Sequence, residues 1–157
     1  MDATTEMTSL DREIAIAASP ETVWQFLVDP EKAVLWMGER ATFDARPGGA
    51  WTIDVLPERT ASGTFVELDP PHRLVYTWGW EASGGEANPV PPGSSTIEIE
   101  LAAEGSGTML RFTHRDLPTA KSAESHTVGW EHYLGRLTIA AAGGDADRDP
   151  WLDRPTT

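Results

Sequence analysis

The sequence predicts an α+β domain in which a curved antiparallel sheet of about seven strands surrounds one long C-terminal helix. Two observations lead to this prediction. Segments that alternate apolar and polar residues follow one another between about residues 40 and 115, with turn signals between them. After them, apolar residues recur at helical spacing until Gly143 and Gly144 end the pattern. Because so wide a sheet must bury one face, we expect the helix to lie across it.

The first part of the chain predicts one strand followed by two short helices. Leu10, Ile14 and Ile16 share one parity and indicate strand one. Ser19 and Asp29 each precede a proline and a glutamate, and this order combines an N-cap side chain, a preformed first helical residue and an acid in the first turn. Two helix starts therefore follow strand one.

Six further strands are expected, joined mainly by short turns. They fall around residues 40–45, 51–55, 62–68, 74–80, 97–101 and 110–114. In the fourth of these, Leu74, Tyr76, Trp78 and Trp80 share one face, which places four large side chains together. The connection at 81–94 contains three glycines and three prolines. Such a long connection is either a mobile surface loop or a cover over a site.

Composition limits the classes of partner. The chain has 157 residues, no cysteine and a net charge of −13. Nucleic acids and anionic membranes repel such a surface, and no segment is apolar enough to insert into a membrane.

Residues 1–8 show no signal-peptide pattern, and the absence of cysteine fits a reducing compartment, so we expect a cytoplasmic protein. We assign one domain to residues 9–142 and flexible tails to 1–8 and 143–157.

Aromatic side chains are expected to enclose a hollow between the sheet and the last helix. His126, Trp130 and Tyr133 lie on the helix stripe that must meet the sheet. The alternative is that the rings fill a large solid core, and a direct Trp78–Trp130 contact with no void would favour it. The candidate ligand-binding residues are Trp36, Met37, Trp51, Tyr76, Trp78, Trp80, Phe112, His114, His126, Trp130 and Tyr133.

Catalytic and metal-binding patterns are weak. His114 and His126 are candidate general bases, but the favoured interpretation of either residue is a buried neutral histidine held by a hydroxyl or backbone group. No nucleophile motif, phosphate-binding loop or metal-ligand spacing is present, so no cofactor and no metal are expected. Gly129 is expected to let a strand approach the helix closely, and the alternative is a helix kink that opens the cavity. Val128, His132 and Ile139 share the outer face of the helix and are a candidate homodimer seam.

Several pieces of the chain, in order and spacing, resemble the START-like helix-grip (SRPBCC) superfamily. Within it the chain resembles the activator of heat-shock protein 90 ATPase homologue family over about residues 10–141. The matching pieces are Ser19 to Trp24, Asp29-Pro30 with Trp36, Arg46 to Gly49, Gly63, Glu67 to Leu74, Tyr76 to Trp78, Gly107-Thr108, and His126 with Gly129-Trp130.

The resemblance implies a deep pocket between sheet and helix but no single activity, because the superfamily includes ligand carriers, cyclases and chaperone-associated domains. The activator that names the family has two domains, and its other domain contributes to chaperone binding. A one-domain chain departs from that pattern, which weakens the expectation of a co-chaperone.

Three functional hypotheses follow. The first is binding of a small hydrophobic or aromatic ligand, which the residues favour over catalysis. The second is a cyclase or dehydratase acting on a polyketide-like or aromatic substrate through His114 or His126. The third is contact with a heat-shock protein 90 homologue.

Overall fold

A computed structural model describes residues 9–82 and 90–153 and confirms the predicted α+β architecture. Seven antiparallel strands form one curved sheet in the order β1-β7-β6-β5-β4-β3-β2. The strands are β1 (Leu10–Ile16), β2 (Arg40–Phe43), β3 (Ala50–Leu56), β4 (Arg59–Asp69), β5 (Arg73–Trp80), β6 (Ser95–Glu104) and β7 (Gly107–Arg115). Strand one closes the edge beside β7, because the two short helices carry the chain away before β2 begins.

The two helices after β1 begin where their caps predict. Helix α1 (Pro20–Val28) is capped by the Ser19 side chain, which accepts from the Thr22 backbone N–H. Helix α2 (Pro30–Ala33) is capped in the same way by Asp29, which accepts from the Glu31 backbone N–H. The chain then leaves α2 through one further turn and reaches Gly38 with a positive φ of 78°.

Curvature of the sheet has an identifiable local cause. The register shifts once between β3 and β4, near Asp54 and Leu56, and once between β4 and β5, near Phe65 and Glu67. Each irregularity bends the strand that carries it and increases its twist. The bent half of the sheet wraps toward the helices.

Helix α3 (Ala120–Ala141) begins at the Thr119 cap and buries one stripe against the sheet. Trp130, Tyr133, Leu134 and Leu137 are buried on this stripe, as the 3.6-residue period predicts. No helix among the described residues is both long and apolar enough to cross a membrane.

The chain beyond α3 follows a defined path as far as Asp153. Its last described element is a short 3-10 helix, Pro150–Asp153. The Arg136 side chain on α3 donates to the backbone carbonyls of Ala146 and Asp147, at 3.0 and 2.8 Å. Residues 144–153 are called the C-terminal segment below. Residues 1–8 and 154–157 of the predicted tails (1–8 and 143–157), and residues 83–89 of the predicted loop, lie outside the described residues.

Candidate functional site

A cavity of about 260 Å³ lies between the sheet and α3. Four tryptophans form much of its wall, and one of them, Trp151, comes from the C-terminal segment. The volume is below the roughly 300–1,000 Å³ typical of sites for drug-sized ligands, so it suits a compact molecule of one or two rings. The lining residues are Met37, Leu56, Arg59, Trp78, Trp80, Ser125, His126, Gly129, Trp130, Tyr133 and Trp151.

Trp78 and Trp130 touch, yet space remains beside them. Their ring centroids are 5.0 Å apart, so the two rings do not face each other across a void. Both rings nevertheless line the cavity, whose wall reaches solvent at the exposed Arg59 and Ser125 and the half-buried Trp80 and Trp151. We call this exposed part of the wall the mouth. The interior is therefore solid on one side of the Trp78–Trp130 pair and hollow on the other.

Six of the predicted ligand-binding residues line this cavity, and five do not. Those in its wall are Met37, Trp78, Trp80, His126, Trp130 and Tyr133. Trp36, Trp51 and Tyr76 line a neighbouring gap of only about 20 Å³, which leaves room for about one water molecule. Phe112 and His114 are completely buried behind Trp130, with ring centroids 4.6 and 6.2 Å from it.

Each ring nitrogen of His114 has a partner. The Trp130 indole N–H donates to His114 Nδ1 at 3.0 Å. The Ser95 hydroxyl donates to the Trp78 carbonyl at 2.8 Å, so its oxygen accepts from His114 Nε2–H at 2.9 Å. Burial, with a smaller effect from the neighbouring His126, lowers the pKa of His114 to about 3. His114 is thus a neutral core residue that orients Trp130.

His126 lines the cavity but is also fully bonded. Its Nδ1 lies 2.8 Å from the Ser122 carbonyl, which can only accept, so Nδ1 carries the proton. Nε2 then accepts from the Trp80 indole N–H at 3.1 Å. Burial lowers the pKa of His126, the Ser122 carbonyl acts in the opposite direction, and the charge of Arg59 lowers it further. The imidazole therefore fixes Trp80 at the cavity mouth.

Two lining side chains have buried polar atoms without hydrogen-bond partners among the described residues. These are the Trp78 indole N–H and the Tyr133 hydroxyl. Burial and the nearby Asp149 carboxylate, whose Oδ2 is also buried and unpaired, raise the pKa of Tyr133, so the hydroxyl keeps its proton and can donate to Asp149 or to a ligand. An unpaired buried donor costs about 1–3 kcal/mol, which a bound acceptor group would recover.

The C-terminal segment supplies the outer wall of the cavity. The Asp149 carboxylate is buried and accepts from His132 Nε2 at 2.8 Å and from the Trp151 backbone N–H at 2.9 Å. The Trp151 ring stacks on His132, with centroids 3.7 Å apart and planes 7° apart. His132 is therefore covered by this segment and does not lie on an open outer face of α3 with Val128 and Ile139.

The sequence did not identify five of the lining residues: Leu56, Arg59, Ser125, Gly129 and Trp151. The expected close approach at Gly129 is wrong, because a Cβ built there would meet no atom within 4 Å. The residue instead leaves space in the helix face that borders the cavity. Trp151 had one signal, an aromatic residue in an otherwise polar tail, but nothing in the sequence indicated where it docks.

The described residues contain no cluster of three histidine or carboxylate side chains that could hold a metal ion.

Comparison with known proteins places the chain in a family. The model of the "Activator of Hsp90 ATPase homolog 1-like protein" family (AHSA1) matches residues 17–142. The AHSA1-like protein of Rhizobium etli is 44% identical, with a TM-score of 0.73 over 99% of this chain and 95% of that one. A search of curated proteins gave no match.

More distant structures share the fold. CalU16 from Micromonospora echinospora is 26% identical, with a TM-score of 0.67 over 86% of this chain and 76% of that one. An Aha1 dimer from Colwellia psychrerythraea is 20% identical, with a TM-score of 0.73 over 88% and 98%. The AHSA1-like proteins lie within the SRPBCC helix-grip superfamily. With the family model matching most of its length, this chain belongs to the AHSA1-like family.

Proposed function

We propose that this protein binds a small hydrophobic or aromatic molecule in the cavity between the sheet and α3. The observation that carries the proposal is the hollow of about 260 Å³ beside Trp78 and Trp130, next to a gap of only about 20 Å³ on the other side of Trp78. Removing apolar ligand surface from water stabilises such a complex by about 25 cal/mol per Å². The unpaired Trp78 N–H and Tyr133 hydroxyl offer polar contacts that orient the ligand.

Binding accounts for the site better than acid–base catalysis does. A general base needs a free nitrogen within reach of the substrate proton. Both nitrogens of His114 and both nitrogens of His126 already have partners, and His114 does not reach the cavity wall. A cyclase or dehydratase reaction through either histidine would require these bonds to break first.

A matched pair of variants on α3 tests the proposal. Gly129 lines the cavity and Gly135 faces solvent on the same helix, and a Cβ at either position meets nothing within 4 Å. Both Gly129→Leu and Gly135→Leu gain about 1 kcal/mol of helix propensity. Gly129→Leu places a side chain at the cavity and Gly135→Leu does not, so only Gly129→Leu should block a ligand.

The measurement is ligand-dependent melting and native mass spectrometry with a panel of one- and two-ring aromatics, polyphenols and short lipids. We expect wild type and Gly135→Leu to bind the same compounds, and Gly129→Leu to lose about tenfold or more in affinity. Binding that survives Gly129→Leu would place the ligand elsewhere. A panel without any binder to the wild type would refute the proposed function.

A further inference from the structure

The described wall of the cavity contains a single charged side chain, that of Arg59, which stands at the mouth. It begins β4 and is exposed. Its guanidinium lies over the Trp80 ring, 4.5 Å from the centroid. Trp80 is in turn held by His126, so the arginine rests on a fixed platform. Its positive charge reaches into the site, because it lowers the pKa of both His126 and Tyr133.

Arg59 differs from the other described arginines in its partners. Arg136 donates to three backbone carbonyls. Seven others have a carboxylate within 4 Å, namely Arg12, Arg40, Arg46, Arg73, Arg111, Arg115 and Arg148. Arg59 forms no ion pair within the described part of the chain. In a protein with twice as many acids as bases, a guanidinium without a carboxylate at a cavity mouth is conspicuous.

We propose that the ligand is an aromatic carboxylic acid, or an equivalent compact anion, whose ring enters the cavity while its carboxylate pairs with Arg59 at the mouth. The inference rests on the proposed binding function and names its ligand class. A guanidinium presents a planar fork of donors that matches a carboxylate in two parallel hydrogen bonds. The cavity walls are mainly aromatic and accept the ring, and Arg59 is the cation that the described wall offers to a carboxylate.

The net charge of −13 does not oppose this assignment. Surface charges are screened beyond about 8 Å at physiological ionic strength, whereas a pair in direct contact is screened much less. The acidic surface therefore slows the approach of anions in general, and the contact with Arg59 selects those whose ring fits.

The test uses two compounds with the same ring system, 1-naphthaleneacetic acid and 1-naphthaleneacetamide. Calorimetric titration at low and high salt gives the affinity of each compound for the wild type, Arg59→Gln, Arg59→Lys and Arg46→Gln. Arg46 is the matched control, because it is an exposed arginine that pairs with Asp44 and lies outside the cavity wall. Arg46→Gln removes the same charge from the protein surface as Arg59→Gln does.

We expect the wild type to prefer the acid by about tenfold, and high salt to reduce the preference. Arg59→Gln should abolish it with little change in amide binding, Arg59→Lys should retain part of it, and Arg46→Gln should leave it intact. Equal binding of acid and amide, or equal effects of Arg59→Gln and Arg46→Gln, would overturn the ligand class while leaving the cavity as a binding site. Binding of neither compound would also overturn it, and together with an empty panel would remove the proposed function.

Discussion

The space between sheet and helices has two halves that use the same residue types and pack differently. Under α1 and α2, Trp36, Trp51 and Tyr76 surround a gap of about 20 Å³. Under α3 and the C-terminal segment, Trp78, Trp80 and other rings surround about 260 Å³. Aromatic content alone therefore does not distinguish a filled core from a site.

The two halves differ in two aromatic polar atoms, although the Trp80 and Trp130 N–H groups of the hollow half are bonded to His126 and His114. In the filled half, Trp36 N–H donates to the Phe26 carbonyl at 2.9 Å, and Trp51 N–H donates to the Thr77 carbonyl at 3.0 Å. In the hollow half, the Trp78 N–H and the Tyr133 hydroxyl have no described partner. Unpaired donors beside a void indicate a ligand site, because buried polar atoms elsewhere in a protein are almost always hydrogen-bonded.

The largest expected effect compares a tryptophan from each half. Trp51 is buried, stacks on Trp78 with centroids 5.4 Å apart and contacts Tyr76 edge to face. Trp51→Ala should lower the free energy of unfolding by about 3–5 kcal/mol. Trp151→Ala, which removes a half-buried ring at the cavity wall, should cost only about 1 kcal/mol. Urea unfolding at pH 7 measures both, and equal losses would contradict the division into a filled and a hollow half.

A second expected effect concerns the wall of the hollow half. The Arg136 guanidinium holds the C-terminal segment through Ala146 and Asp147 and also donates to the Trp36 carbonyl. Arg136→Gln should release the segment at a local cost of about 1.5–3 kcal/mol, because hydrogen bonds from a charged donor are lost. Hydrogen exchange should then accelerate in residues 146–152 while that of Trp51 and its strand stays unchanged.

The matched control is Arg111→Gln, which removes an exposed arginine paired with Glu13 at the far edge of the sheet. It should leave exchange in the C-terminal segment as in the wild type. Acceleration throughout the chain in Arg136→Gln would show that the segment unfolds only with the whole domain.

A third expected effect is the pH dependence that His114 imparts. The native state keeps this residue neutral because its pKa is lowered to about 3, whereas the unfolded chain takes up the proton near the ordinary value of about 6.5. The unfolded state therefore binds more protons between these values. Stability is fully present above pH 6.5 and falls with decreasing pH by up to about 1.4 kcal/mol per unit until about pH 3.

Urea unfolding of the wild type and His114→Gln at pH 7 and pH 5 isolates this contribution, since the carboxylates titrate in both proteins. The variant should lose stability at pH 7, because the bonds to Trp130 and Ser95 are disturbed, but its decline toward pH 5 should be smaller. If stability declines equally in the variant and the wild type between pH 7 and pH 5, the native state does not hold His114 neutral.

The amino-acid sequence alone determined the element order, the two proline-started helices, the seven strands and the aromatic stripe of α3. These features are local, because caps, turns and the periods of 2 and 3.6 are written within a few residues. For the same reason the sequence could place Trp78 on the sheet face that meets the last helix, and Trp130 and Tyr133 on the helix stripe that meets the sheet.

Only the tertiary structure decided which of those rings border empty space. Bulges bend the sheet, Gly129 leaves room on α3, and Trp151 is brought back from ten residues beyond the helix by Asp149 and His132. Arg59 meets Trp80 on the neighbouring strand, a contact set by the β4–β5 pairing and not by a short-range pattern. A cavity is the volume that packing leaves unfilled, so it depends on all the surrounding side chains together and not on any one segment.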